Sequence, residues 1–157
     1  MQTLVVYDSK FGNTRKLALA MTEAVKPRSA VRLVALEELL PEALGTVDLL
    51  IIGGPTQSHG LSPRMRQFTD GLRVRSANGM VAATFDTRSR MPMVFSGSAA
   101  KTIAKKLQTK GIRVLAHDSF FVTRTSTPQL EPGEITRAAD WAKKLAIHCI
   151  VSQWCAA

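Results

Sequence analysis

The sequence predicts an α/β domain whose parallel sheet is covered by helices on both faces. Five short apolar segments alternate along the chain with stretches of helical period. The segment "VDLLIIGG" at 47–54 is almost wholly apolar, as a mid-sheet strand buried on both faces must be. At the start of the chain an apolar segment runs into small polar residues, and a helix pattern begins at once. Right-handed crossovers leave few topologies for such an arrangement. The 157 residues contain no linker, internal repeat or low-complexity segment, so residues 1–157 read as a single domain.

The elements follow in order. "TLVVYD" at 3–8 is the first strand. Residues 13–26 form a helix with Leu17, Ala20, Met21 and Ala24 on one stripe. "AVRLVAL" at 30–36 alternates in part and is the second strand, followed by a short helix or turn at 37–43. After the third strand at 47–54, residues 62–74 form a helix entered through Ser62-Pro63. Proline suits a first helical position because its missing N–H has no partner there. "GMVAATFD" at 79–86 is the fourth strand. The helix at 98–110 turns Ile103, Ala104 and Leu107 inward and its four lysines outward. "IRVLAHDSFFV" at 112–122 is the fifth strand, and a helix at 132–151 closes the chain with Glu134 in its first turn.

Composition narrows the class. Hydrophobic residues make up 45% and charged residues 21%, a globular balance. No apolar run reaches the ~18 residues needed to span a bilayer. The N-terminus lacks the layout of a secretory signal. The two cysteines, Cys149 and Cys155, form neither a disulfide framework nor a CxxC pair. A reducing cytoplasm is the expected location. The net charge is +9, and residues 49–117 hold eleven basic residues against two acids, while the remainder balances at ten against ten. An excess in one segment attracts an anionic partner or simply solvates helix faces. A nucleic-acid surface is not expected, since no recognised motif or interleaved aromatics accompany the charge. His59, His117 and His148 have no metal-ligand spacing, so no metal site is expected. Ser96-Gly97-Ser98 lacks the GxSxG elbow and reads as a helix cap. No catalytic acid, base or nucleophile is assigned.

Ligands of open α/β sheets bind outside the carboxyl ends of the strands. Three loops leave such ends, at 9–14, 55–62 and 85–98. In the first, Ser9 and Thr14 supply hydroxyls, Gly12 lets the backbone turn tightly, and Asn13 tolerates unusual angles. The next helix begins with unpaired N–H groups. These features suit a phosphate; they also suit an ordinary turn capped by Asn13 or Thr14. There is no GxxxxGK[ST] and no GxGxxG, which excludes a P-loop hydrolase and the usual dinucleotide site.

"VVYDSKFGNTRKLA" resembles the flavodoxin signature, a strand followed by a hydroxyl-rich loop with Gly-Asn-Thr. "IIGGPTQSHGLSPRMRQFTDGL" is similar to the second flavin loop and helix of flavodoxin-like proteins, including quinone-reductase relatives, and "ATFDTR…SGSAAKTIAKKL" to the third. The resemblance implies a flavodoxin-like three-layer sandwich with strand order 2-1-3-4-5, and FMN as cofactor. Ser9, Lys10, Phe11, Gly12, Asn13 and Thr14 would cradle the phosphate. Pro55, Thr56, Gln57, Ser58, His59 and Gly60 would line the ring, and Asp86, Thr87 and Arg88 its other side. The implied function is electron or hydride transfer through the flavin to a protein partner or a small acceptor such as a quinone. The alternative is a binding or regulatory module of the same fold that has lost FMN or binds it weakly. Two departures bear on this. The second and third loops contain no Trp or Tyr to stack on a ring, and the chain is basic where electron carriers of this family are typically acidic.

Overall fold

Alternate residues of the central strands serve two separate cores, and this alternation builds the molecule. In the computed structural model, which describes residues 1–40, 44, 46–57, 60–72, 79–92, 94 and 97–155, and side chains up to 152, the chain is a five-stranded sheet between two helix layers. The strands are β1 (Gln2–Tyr7), β2 (Ala30–Ala35), β3 (Leu49–Pro55), β4 (Val81–Ser89) and β5 (Arg113–Val122). The helices are α1 (Asn13–Val25), α2 (Pro63–Gly71), α3 (Ala99–Thr109) and α4 (Glu134–Cys155). All strand pairs are parallel, in the order β2-β1-β3-β4-β5.

Val5, Leu49, Ile51 and Ala83 pack on one face against Leu17 and Met21 of α1 and Ala142 and Ala146 of α4. Their neighbours Leu4, Val6, Leu50 and Ile52 pack on the other face with Met65 of α2 and Ile103 and Leu107 of α3. A period of two along each strand therefore feeds both layers. The strand Leu49–Ile52 is fully buried, as its unbroken apolar run predicts.

Boundaries moved in places. β4 continues to Ser89, so Thr87 and Arg88 stand in the strand rather than in a loop beginning at residue 85. The reason is β5, which pairs with β4 as far as Ser89↔Val122 and holds its carboxyl end extended. The short helix after β2 is a 3₁₀ turn at Leu36–Glu38; residues 41–43 lie outside the described residues. The buried face of α1 is Leu17, Ala18, Met21 and Val25, with Ala20 and Ala24 at its margin. Ser62 caps α2, its Oγ accepting from the Met65 N–H at 3.1 Å, with Pro63 at the first helical position. Ser98 caps α3 in the same way through the Lys101 N–H at 3.2 Å; Ser96 lies outside the described residues. No helix among the described residues is long and apolar enough to cross a membrane.

Candidate functional site

The strand order reverses between β1 and β3: β2 lies on one side of β1, and β3, β4 and β5 follow on the other. The crevice at that point is where an open parallel sheet can bind a ligand. A cleft of about 380 Å³ opens there, within the usual range for small-molecule sites. Its walls are Lys10, Phe11, Asn13 and Thr14 from the β1 exit, Pro55, Thr56 and Gln57 from β3, and Thr87, Arg88 and Ser89 from β4. Val122, Thr123, Arg124, Thr125 and Pro128 close it from the β5 exit.

Local chemistry fixes each wall. Gly12 sits at the N-cap of α1 with φ +83°, a left-handed conformation that favours glycine, and no side chain caps the helix. Asn13 and Thr14 are thus not caps, contrary to the ordinary-turn reading of this loop. Both are buried. Asn13 Nδ2 donates to the Pro128 carbonyl at 2.8 Å, which ties the first loop to the β5 exit. Asn13 Oδ1 is buried without a hydrogen-bond partner among the described residues. Thr14 and Thr87 share a buried hydroxyl–hydroxyl contact of 3.1 Å at the cleft floor.

Thr56 is held from behind. Its hydroxyl donates to Asp86 Oδ2 at 3.0 Å and accepts from the Ala99 N–H at 2.9 Å. Asp86 is fully buried, and its Oδ2 also accepts from Ser98 Oγ at 2.8 Å and the Ala100 N–H at 3.0 Å. The carboxylate therefore lies at the N-terminus of α3, where the helix dipole favours negative charge. It stands behind the cleft wall and does not line it.

The other expected residues are distributed as follows. Lys10, Phe11, Asn13, Thr14, Pro55, Thr56, Gln57, Thr87 and Arg88 come together in the cleft. Ser9 and Gly12 instead border a smaller recess of about 220 Å³ with Asp8, Arg15, Glu37 and Arg64; Ser9 Oγ accepts the Gly12 N–H at 3.1 Å. Gly60 closes a tight turn with Gln57 through backbone bonds of 2.9 and 2.8 Å and is not part of the cleft lining. Ser58 and His59 lie outside the described residues. Ser89 and the β5 exit, with Thr123, Arg124 and Thr125, were not anticipated. Their signal was present in "VTRTSTP", because every strand of a parallel sheet delivers its carboxyl end to the same edge.

The donor set is one-sided. Among the described lining residues, Lys10, Arg88 and Arg124 bring three cationic side chains into the cleft, five threonines and one serine bring hydroxyls, and none is a carboxylate. Phe11 is the aromatic side chain among the described lining residues; it is half exposed, with the Lys10 ammonium 5.2 Å from its ring centroid. Among the described residues no His, Cys, Asp and Glu cluster is placed to hold a metal ion.

The β5 wall is anchored by Glu134. Its carboxylate is buried, accepts from the Phe121 N–H at 2.7 Å and pairs with Arg137 at 2.7 Å. Burial pushes its pKa up. The Arg137 and Phe121 hydrogen bonds and the Arg137 and Arg90 charges outweigh that, leaving it below its ordinary value of 4.5. A lowered folded pKa contributes stability that is complete above the ordinary value and lost as pH falls through the folded one. Melting temperature measured across and below pH 4.5 is therefore expected to fall, and Glu134→Gln to be less stable at neutral pH but flatter in acid.

Comparison with solved structures decides the fold. The chain superposes on an archaeal flavodoxin with a TM-score of 0.74 at 17% identity, covering 95% of this chain and 99% of that one. The fold is flavodoxin-like. The oxidised flavodoxin 1 of Bacillus cereus gives a TM-score of 0.77 at 18% identity over 94% of this chain and 99% of that one. The rubredoxin:oxygen oxidoreductase of Desulfovibrio gigas gives 0.74 at 17% identity, with 96% of this flavodoxin-like chain matched to 36% of that larger protein. In sequence, a flavodoxin of Aquifex aeolicus (strain VF5) is 34% identical over 73 residues, or 45% of this chain and 40% of that protein. The match thus spans less than half the length of that relative. No protein-family model matches the chain.

Proposed function

We propose that this protein binds one FMN in the cleft at the strand carboxyl ends and exchanges electrons or a hydride through it with a redox partner protein or a small acceptor such as a quinone. The observation that carries this reading is the donor set at the β1/β3 crevice: among the described residues, cations and hydroxyls without a carboxylate, and a buried amide oxygen of Asn13 with no partner. An anionic, polyhydroxylated ligand matches it. Lys10 and Arg124 balance the charge of a phosphate. Asn13 Oδ1 is an acceptor for a ligand hydroxyl, which removes its desolvation cost. Thr14, Thr87 and Ser89 supply further hydroxyls.

When bound, FMN supplies the electron or hydride chemistry at its ring; the protein's part is binding, orientation and electrostatics. Pro55, Thr56, Gln57 and Arg88 form the wall on which the ring would rest, and Ser58, His59 and Gly60 follow Gln57 in the sequence. Asp86 acts on that wall only through Thr56, whose hydroxyl it orients. Phe11 and Val122 add apolar surface to the cleft lining. A full hydroxyl and cation set also counts against a module that has dispensed with its cofactor. Cys149, a buried free thiol whose pKa burial raises, suits a reducing compartment such as the cytoplasm.

The visible absorption spectrum of the purified protein tests the reading, with FMN added to any colourless fraction. The expected result is a flavin spectrum, or its appearance in protein-bound form on titration. A protein that stays colourless and leaves the FMN spectrum unchanged contradicts it.

A further inference from the structure

The cleft occupies one edge of the sheet, and the opposite edge has a character of its own. Each helix follows a strand and runs back from the cleft, so helix C-termini and strand N-termini meet at this far edge. Backbone bonds tie it together: the Ala30 N–H donates to the Met1 carbonyl at 3.2 Å, the Asp48 N–H to Gln2 at 2.9 Å and the Val81 N–H to Asp48 at 2.9 Å. Lys26 and Arg28 follow α1, Lys105 and Lys106 lie in the last turns of α3, Lys110 is its C-cap and Arg113 opens β5. The carboxylates described here are engaged. Glu23 pairs with Lys26 and Asp70 with Lys106, and half-buried Asp48 accepts the Gln2 N–H at 2.6 Å. Arg28, Lys105 and Arg113 form no salt bridge among the described residues.

The end of α4 stands at the same edge and is apolar. α4 runs 22 residues where α1, its neighbour in the same layer, runs 13. Cys149 is buried, and the charges of Arg113 and Asp48 reach its thiol, which sets this turn of α4 level with the far edge. After Cys149 none of the described residues is buried, yet the helix continues to Cys155, about 9 Å further at the α-helical rise. Ile147 is 42% exposed and Val151 55%. Four positions apart, they share one helix face. A helix C-terminus draws cations by its dipole, which accounts for Lys26, Lys106 and Lys110. It accounts neither for Arg113, which opens a strand, nor for aliphatic side chains left in water at a helix end.

We propose that this far edge docks on an anionic phospholipid surface, with Ile147 and Val151 entering the interface and Arg28, Lys105, Lys110 and Arg113 against the headgroups. The edge calls for a partner that is anionic and apolar at once, and a bilayer surface is both. Its cations lie in both helix layers, beside α1 and in α3, so a plane meets them together. A nucleic acid would use the charges and leave the aliphatic side chains wet. The protein lies on the surface without crossing it. The cleft then faces away from the bilayer, and the inference goes beyond the flavin reading without depending on it.

Co-sedimentation of the full chain with vesicles tests it. Binding to vesicles of mixed phosphatidylserine and phosphatidylcholine is expected to exceed binding to phosphatidylcholine alone by about tenfold and to weaken steeply with salt. Ile147→Ser/Val151→Ser is expected to bind about tenfold more weakly with an unchanged Tm, since both side chains are exposed. Lys105→Glu/Arg113→Glu is expected to lose about tenfold as well. Arg15→Glu/Lys101→Glu, the same charge change at the cleft edge, is expected to stay within about twofold of the parent, because those sites lie beyond the screening length from the bilayer. The proposal is overturned by equal binding to the two kinds of vesicle, by equal loss in the cleft-edge variant, or by an aliphatic variant that binds as the parent does. Tighter binding to single-stranded RNA or to poly-L-glutamate at the same ionic strength overturns it too. Sedimentation is read without flavin absorption, so failure here and failure to bind FMN are separate outcomes.

Discussion

Gly53→Ala is expected to destabilise the fold by about 3 kcal/mol. Gly53 pairs with Phe85 in the middle of the sheet. A Cβ at this position would lie 2.3 Å from the Phe85 carbonyl oxygen and 2.5 Å from its ring carbon Cδ1. The nearer of these is backbone and has no rotamer to escape into. Phe85 is also locked, fully buried and edge-on to Phe120 at a centroid distance of 6.3 Å. Relief therefore requires β3 and β4 to separate at the Gly53–Phe85 pair. Chemical denaturation is expected to show the midpoint falling at constant slope, and Tm to drop by about 6–12 °C. An alanine variant within 0.5 kcal/mol of the parent, roughly the range of an inconsequential surface change, would show that this strand pair is not where the structure places it.

Asp86→Ala is expected to cost about 3 kcal/mol and to weaken cofactor binding as well. One oxygen of this buried carboxylate accepts from Thr56, Ser98 and the Ala100 N–H. Removing it orphans three donors at once and withdraws the negative charge from the N-terminus of α3. Thr56 then loses the acceptor of its hydroxyl proton and keeps only the Ala99 N–H bond. The predicted signature is a coupled loss, lower stability in denaturant together with weaker FMN affinity. Thr56→Val separates the two: it removes the cleft-wall hydroxyl but leaves Asp86 with Ser98 and Ala100, so affinity falls more than stability. If Asp86→Ala lowers stability while FMN affinity stays at the parent value, Asp86 serves the fold alone.

The sheet was legible in the chain because two kinds of signal agreed. Apolar runs of strand length at 3–8 and 47–54 and helical stripes such as Ile103, Ala104 and Leu107 give element type and order, and right-handed crossovers do the rest. The first loop was legible because Gly12, Asn13 and Thr14 are local features. What escaped depends on tertiary pairing. Thr87 and Arg88 belong to a strand only because β5 pairs alongside them. Asp86 reads as a loop acid beside a turn, and its burial under α3 follows from where Ser98 begins that helix. Arg124 and Thr125 reach the cleft because Asn13 ties their loop to the first one through Pro128, a contact across 115 positions that no local pattern announces.

A phosphate held at the β1 exit would anchor the proposed flavin in this cleft. Isothermal titration of the flavin-free protein with FMN and, in parallel, with riboflavin, which differs only in lacking the phosphate, tests it most directly. One FMN site per chain is expected, with riboflavin binding weaker by about a hundredfold, since the phosphate would engage several charge-assisted hydrogen bonds. Equal affinity for the two flavins, or no heat with either, would contradict it.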